Sequence, residues 1–122
     1  MKTVMVVDDS RIMRNTVKNI FDEMNIPVNY LEAADGDEAL KNLSENKVDL
    51  ILLDWNMPNL SGIDFLKQVK NTEEYKAIPV IMVTSEAAKL NMIEAIKAGA
   101  SAYIAKPVDK NEFKEKISKI AF

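Results

Sequence analysis

Residues 48–58 read VDLILLDWNMP, an uninterrupted apolar run that ends on an aspartate. Because residues 50–53 place no polar side chain at alternate positions, the run predicts a strand covered on both faces, as at the centre of a parallel sheet. Asp54 would then lie at the carboxyl end of the strand, the edge at which open parallel α/β sheets bind their ligands. Taken alone, an aspartate that merely begins the exit turn is the better explanation. Its meaning therefore depends on which other polar groups reach the same edge.

Four other segments have strand character, and helical patterns separate them. Residues 4–7 and 80–83 are also apolar throughout, whereas residues 28–33 and 101–105 are mixed. The apolar stripes of the five predicted helices comprise Ile12, Met13, Val17, Ile20, Phe21 and Met24; Ala39, Leu40 and Leu43; Ile63, Leu66 and Val69; Leu90, Ile93, Ala95, Ile96 and Ala98; and Phe113, Ile117 and Ile120. This alternation predicts an α/β fold with a doubly wound parallel sheet, in one domain spanning residues 1–122.

The composition excludes several classes of function. The chain has 122 residues, a formal net charge of -3 and neither cysteine nor histidine. Disulfides, thiol nucleophiles, zinc sites of the usual type and imidazole catalysis are therefore ruled out, and direct binding of nucleic acid is disfavoured. The N-terminus has no leader pattern and no apolar run reaches membrane-spanning length, so we expect a soluble cytoplasmic protein.

Polar side chains mark the ends of four of the predicted strands. Asp8 and Asp9 follow the first strand, Asp54 the third, Thr84 the fourth and Lys106 the fifth. Crowded carboxylates repel one another unless a cation joins them, and a set of oxygen ligands suits Mg²⁺. A lysine and a hydroxyl beside that ion would suit a phosphoryl group, with Asp54 as the nucleophile that carries it.

Each of these residues also has a plainer interpretation. Asp8 and Asp9 could be helix N-caps, Thr84 could be another cap, and Lys106 could be an exposed surface lysine. Their joint placement on one sheet edge is what favours a shared site.

The chain resembles the receiver domain of bacterial two-component response regulators over nearly its whole length, most of all the single-domain chemotaxis regulators. The resemblance implies a flavodoxin-like fold with strand order 2-1-3-4-5. It also implies that Asp54 is phosphorylated by the phosphohistidine of a histidine kinase of the chemotaxis type. The protein would be a monomer that acts on a flagellar switch protein or another protein target. The matching segments are residues 6–10 (VVDDS), 34–40 (ADGDEAL), 54–58 (DWNMP) with Gly62, 83–87 (VTSEA), 97–100 (KAGA) and 103–107 (YIAKP).

The same resemblance assigns roles at the site. Asp9 and Asp54 would bind Mg²⁺ directly, Asp8 through water and Asn56 through its backbone carbonyl. Lys106 and Thr84 would contact the phosphoryl group, and the bond between Lys106 and Pro107 would be cis.

The resemblance also implies a switch and a partner-binding face. Thr84 would move toward the phosphoryl group while the ring of Tyr103 turns inward, although an ordinary amphipathic strand residue is the plainer interpretation of Tyr103. The face would belong to the fourth helix, fifth strand and fifth helix, and would include Ala87, Lys89, Tyr103, Lys116 and Lys119. How the small residues Ser10 and Ser85 alter access to the pocket stays open.

Three alternatives remain. A haloacid dehalogenase-type phosphatase would need a second acid two residues beyond the nucleophile, where this chain has Asn56, so we expect only slow self-dephosphorylation rather than enzymatic turnover. A flavodoxin-like electron carrier would need a phosphate cradle where Asp8 and Asp9 stand. A phosphorelay intermediate, or a receiver cut from a larger regulator, would share every motif above.

Overall fold

Five parallel strands form a single sheet, in which their places along the chain follow the order 2-1-3-4-5, and this confirms the predicted fold. The structure is a computed structural model, and it describes residues 1–85, 89–120 and 122. Strands and helices alternate along the chain as β1 (Lys2–Val7), α1 (Arg11–Glu23), β2 (Val28–Ala33), α2 (Gly36–Glu45), β3 (Leu50–Leu53), α3 (Gly62–Lys70), β4 (Val80–Thr84), α4 (Lys89–Lys97), β5 (Ala102–Ala105) and α5 (Lys110–Ser118).

The sheet separates two apolar layers, and β3 serves both. Ile51 and Leu53 pack into the layer beneath α2, α3 and α4, whereas Leu50 and Leu52 pack into the layer beneath α1 and α5. Successive side chains of a strand point to opposite faces, so a strand covered on both sides needs an apolar residue at every position. This explains why the apolar run has no polar interruption.

Short polar side chains begin four of the helices. Ser10, Asp35, Ser61 and Asp109 are the N-caps of α1, α2, α3 and α5, and each accepts a hydrogen bond from a backbone N–H of the first helical turn. Within the described residues, none of the helices is long and apolar enough to cross a membrane.

Helix α4 packs differently from the sequence prediction. The apolar stripe was expected to pack as one surface, but only Ala95 is fully buried, while Leu90 is 78% and Ile96 52% exposed. Apolar residues occur almost all the way around this helix, so its periodicity alone does not identify the buried side. The small alanine faces the core, and the large aliphatic side chains are left at the surface.

Candidate functional site

Backbone hydrogen bonds tie the strand ends of the carboxyl edge together. The Asp54 N–H donates to the Val7 carbonyl at 2.9 Å, and the Lys106 N–H donates to the Thr84 carbonyl at 2.9 Å. The ends of β1 and β3, and those of β4 and β5, are thereby held side by side. The predicted convergence of polar residues at this edge is found in the structure.

Three carboxylates form a cluster at this edge. One oxygen from each of Asp8, Asp9 and Asp54 lies within 4.8 Å of the other two. Asp8 and Asp54 are buried and Asp9 is exposed. Ser10, rather than either aspartate, caps helix α1, so the plainer interpretation of Asp8 and Asp9 as caps is wrong.

Lys106 extends into this cluster rather than into solvent. Its ammonium donates to Asp8 Oδ2 at 2.8 Å and lies 3.4 Å from Asp54 Oδ1. Burial lowers the pKa of Lys106, but the hydrogen bond to Asp8 and the charge of Asp54 outweigh this, so that its pKa lies above the ordinary value. Lys106 is therefore a fixed cation between two acids, and the interpretation as a surface lysine is wrong. The bond between Lys106 and Pro107 is cis, as predicted.

The electrostatics of Asp54 are unfavourable for a free carboxylate. Its pKa is raised to about 6, mainly by burial and then by the negative charge of Asp8, while Lys106 opposes the rise. One lysine thus offsets the crowding of three acids only in part. The oxygen donors and the uncompensated negative charge both fit a hard divalent cation.

The loop after β3 presses against the backbone of Asp54. A Cβ placed on Gly62 would lie 2.0 Å from the Asp54 carbonyl oxygen, and the Gly62 N–H donates to the Trp55 carbonyl at 2.8 Å. Only glycine fits this approach. The loop also carries Asn56, which is exposed, and Trp55, which is half-buried.

Thr84 and Tyr103, the residues of the predicted switch, are both buried. Thr84 is fully buried at the end of β4, and Tyr103 is 5% exposed within the apolar layer beneath α2, α3 and α4. The ring of Tyr103 therefore points inward in this structure.

Lys116, a residue of the predicted partner-binding face, donates to the Tyr103 carbonyl and pairs with Glu112. Its ammonium therefore links α5 to β5.

The remaining residues of the predicted partner-binding face are Lys119, Ala87 and Lys89. Lys119 is exposed and pairs with Glu115 one helical turn away. Ala87, like Glu86 before it, lies outside the described residues, as does the side chain of Lys89. The structure adds exposed aliphatic side chains of α4 that were not assigned to this face: Leu90, Met92, Ile93 and Ile96.

Sequence reasoning also missed Arg14 as a neighbour of the acids. Its side chain, on the second turn of α1, donates to the Asp8 carbonyl at 2.7 Å and pairs with Glu32 at 3.0 Å. The sequence marks it only as one of several charged residues outside the apolar stripe of α1. Nothing in that pattern separates Arg14 from the exposed Arg11.

The family model of the response regulator receiver domain matches residues 4–118. This chain belongs to the response regulator receiver family. The receiver is 43% identical over 117 residues to chemotaxis protein CheY-3 of Vibrio cholerae, covering 96% of this chain and 89% of the relative. It is 42% identical to chemotaxis protein CheY of Pseudomonas aeruginosa, with 96% and 94% of the two chains covered.

Solved structures show the same fold. The receiver superposes on chemotaxis response regulator CheY4 of Vibrio cholerae with a TM-score of 0.88 at 30% identity, over 99% of each chain. The Mn²⁺-bound form of response regulator Rcp1 has a TM-score of 0.85 at 25% identity, over 97% of this chain and 91% of that one. The chain is thus a CheY-like signalling receiver.

Proposed function

We propose that this receiver accepts a phosphoryl group on Asp54 from the phosphohistidine of a histidine kinase, in the presence of Mg²⁺, and then binds a protein target in chemotaxis. The observation that carries the proposal is the burial of Asp54 among two further carboxylates and Lys106 at the carboxyl edge of the sheet. The similarity to chemotaxis proteins of two organisms supports the assignment to chemotaxis.

In the proposed transfer Asp54 is the nucleophile. One of its carboxylate oxygens forms a bond to phosphorus as the bond between phosphorus and the donor imidazole breaks, and the imidazole keeps the electron pair. Lys106 lies 3.4 Å from this carboxylate, close enough to pair with a phosphoryl oxygen that arrives there. The hydroxyl of Thr84 would meet a second phosphoryl oxygen.

The acid cluster would hold the metal ion. Asp9 and Asp54 would be direct ligands, Asp8 would act through water, and Asn56 would contribute its backbone carbonyl. Bound Mg²⁺ would neutralise the crowded carboxylates and offset the negative charge of an incoming phosphoryl group. The cluster of oxygen donors within 4.8 Å supports this assignment, and so does the Mn²⁺-bound form of the similar regulator Rcp1.

Phosphorylation would then shift the receiver toward a form that binds its target. Thr84 and Tyr103 would couple the site to the face of α4, β5 and α5, where Ala87, Lys89, Lys116 and Lys119 would contact a flagellar switch protein. The exposed aliphatic side chains of α4 support a protein partner at this face, because exposed apolar patches commonly mark such interfaces.

The proposed unit is a single receiver domain over residues 1–122 that acts as a cytoplasmic monomer without binding DNA. It would release phosphate only slowly. Asn56 stands where a phosphatase would need an acid to activate water, and an amide does not serve as that base.

The first experiment compares Asp54→Asn with Asp49→Asn as a matched control. Asp49 lies just before β3, at its other end, and its carboxylate accepts a hydrogen bond from the Thr3 N–H, a bond that an asparagine oxygen also accepts. With a phosphorylated kinase and Mg²⁺, we expect the control to be labelled like the wild type and Asp54→Asn to be unlabelled. Equal labelling of the two variants would overturn the proposal.

A further inference from the structure

Arg14 holds the backbone that joins two members of the acid cluster. Its Nη1 donates to the Asp8 carbonyl at 2.7 Å, and its Nε donates to Glu32 Oε1 at 3.0 Å. The Arg14 side chain is only 16% exposed. A planar guanidinium that donates in two directions is fixed more firmly than a single ammonium would be.

The carbonyl that accepts from Arg14 belongs to the peptide group between Asp8 and Asp9. Because a peptide group is planar, a hydrogen bond to the Asp8 carbonyl also fixes the direction of the Asp9 N–H and Cα. The preceding peptide is fixed as well, since the Asp8 N–H donates to the Ala33 carbonyl at 3.0 Å. The turn from β1 into α1 is thus held from both sides.

The two aspartates differ in how their own carboxylates are held. Asp8 accepts from the Ser10 N–H at 2.8 Å and from Lys106 at 2.8 Å. Within residues 1–85, 89–120 and 122, no hydrogen bond or ion pair engages the carboxylate of the exposed Asp9. The position of Asp9 therefore depends on its backbone, and that backbone depends on Arg14.

The positive charge of Arg14 acts in the opposite direction. A cation near the cluster would repel Mg²⁺, so its removal would tighten metal binding if charge were the main effect. Glu32 pairs with the guanidinium and offsets this charge. The two effects predict changes of opposite sign, which makes them separable by experiment.

We infer that Arg14 is a positioning residue for the Mg²⁺ site: by fixing the peptide between Asp8 and Asp9 it holds the Asp9 carboxylate where it binds the metal. This inference rests on the proposed function, in which Asp9 is a direct ligand. Loss of an outer contact that orients a metal ligand typically weakens metal binding about tenfold or more.

The test is a Mg²⁺ titration of the unphosphorylated protein, followed by the fluorescence of Trp55, the single tryptophan, which lies next to Asp54. Arg14→Met removes the hydrogen bonds and the charge together. Arg11→Met is the matched control, because it removes the same charge one turn earlier from an exposed side chain. Arg14→Lys keeps the charge and one donor. Thermal unfolding of each variant without metal separates a positioning role from a purely structural one.

We expect the Mg²⁺ Kd of Arg14→Met to rise about tenfold, that of Arg14→Lys to rise less, and that of Arg11→Met to stay within about twofold of the wild type. The metal-free unfolding temperature of Arg14→Lys should match that of Arg11→Met. An unchanged or tighter Kd in Arg14→Met, with normal binding by the wild type, would overturn this inference alone. Failure of the wild type itself to bind Mg²⁺ would overturn the proposed function as well.

Discussion

At the carboxyl edge of the sheet Asp8 and Asp54 are 3% and 6% exposed, whereas on helix α4 Leu90 and Ile96 are 78% and 52% exposed. The first region buries charge and the second exposes hydrocarbon, and each costs free energy relative to the usual arrangement. The stability of the fold explains neither arrangement. Apolar side chains at the sheet edge and polar side chains on α4 would make the folded protein more stable. The buried acids are suited to bind a cation and the exposed aliphatic side chains to bind a protein.

The two regions also differ in how tightly their backbones are held. Gly62 lies against the Asp54 carbonyl, where a Cβ would come within 2.0 Å of a backbone atom. At Gly99, which follows α4 with φ of +110°, the atoms nearest to an added Cβ belong to the side chain of Lys70. A side chain moves aside more easily than a strand end, so the acid site should tolerate less change than the end of α4.

The largest expected effect tests this difference. Gly62→Ala should lower the free energy of unfolding by about 3 kcal/mol, because the added methyl group must push β3 or its exit loop apart. Gly99→Ala should cost less, about 1–2 kcal/mol, for a strained positive φ. Urea unfolding of both variants measures the difference. An equal or larger loss of unfolding free energy in Gly99→Ala would contradict the expected difference between the acid site and the end of α4.

The next effect is a gain of stability at the acid site. Asp54→Asn should raise the free energy of unfolding of the metal-free protein at pH 7 by about 2 kcal/mol. The pKa of Asp54, raised from 3.8 to about 6 with the opposing effect of Lys106 included, corresponds to at most about 3 kcal/mol, and screening by solvent reduces this value. The matched Asp49→Asn variant should show no such gain. A loss of stability in Asp54→Asn would mean that burial and repulsion by the neighbouring carboxylates do not destabilise the charged form of Asp54.

The same substitution has a defined dependence on pH. The pKa of Asp54 in the folded protein lies above that of the unfolded chain, so its cost to stability is complete above about pH 6 and disappears below about pH 4. The difference in unfolding free energy between Asp54→Asn and the wild type should therefore shrink as the pH falls from 7 to 4. A difference that stays constant over this range would contradict the raised pKa.

The smallest effect on stability is expected at Ile96 of α4. Ile96→Lys should change the free energy of unfolding by less than about 0.5 kcal/mol, because the side chain already lies at the surface. Ala95→Lys, one residue earlier, should cost about 2 kcal/mol or more, because Ala95 is fully buried and a buried unpaired charge is costly. At the same time Ile96→Lys should weaken binding of the phosphorylated receiver to a flagellar switch protein about tenfold or more. Unchanged binding would argue against α4 as the partner-binding face.

The sequence predicted the strands and the acid site well for a physical reason. Residues 50–53 are apolar on both faces because the strand is buried on both faces, and a doubly wound sheet brings the ends of such strands to one edge. The convergence of Asp8, Asp54 and Lys106 followed from the alternation of strands and helices, which brings the ends of the first, third and fifth strands to that edge.

Other features depend on orientation within the fold and left no periodic signal. Helix α4 is apolar nearly all round, so the pattern did not reveal that Ala95 faces the core and Ile96 faces outward. Arg14 and Arg11 are the same residue type one helical turn apart, yet only Arg14 reaches the Asp8 carbonyl. The contact from Lys116 to the Tyr103 carbonyl likewise joins a helix and a strand whose mutual placement the sequence does not encode locally.

We propose that the three carboxylates at the sheet edge bind a divalent cation. The most direct test is the unfolding temperature of the wild type and of Asp54→Asn as a function of Mg²⁺ concentration. A ligand that binds only the folded state raises stability with its concentration, so we expect millimolar Mg²⁺ to stabilise the wild type and to leave Asp54→Asn nearly unchanged. Equal stabilisation of both proteins, or of neither, would contradict the claim.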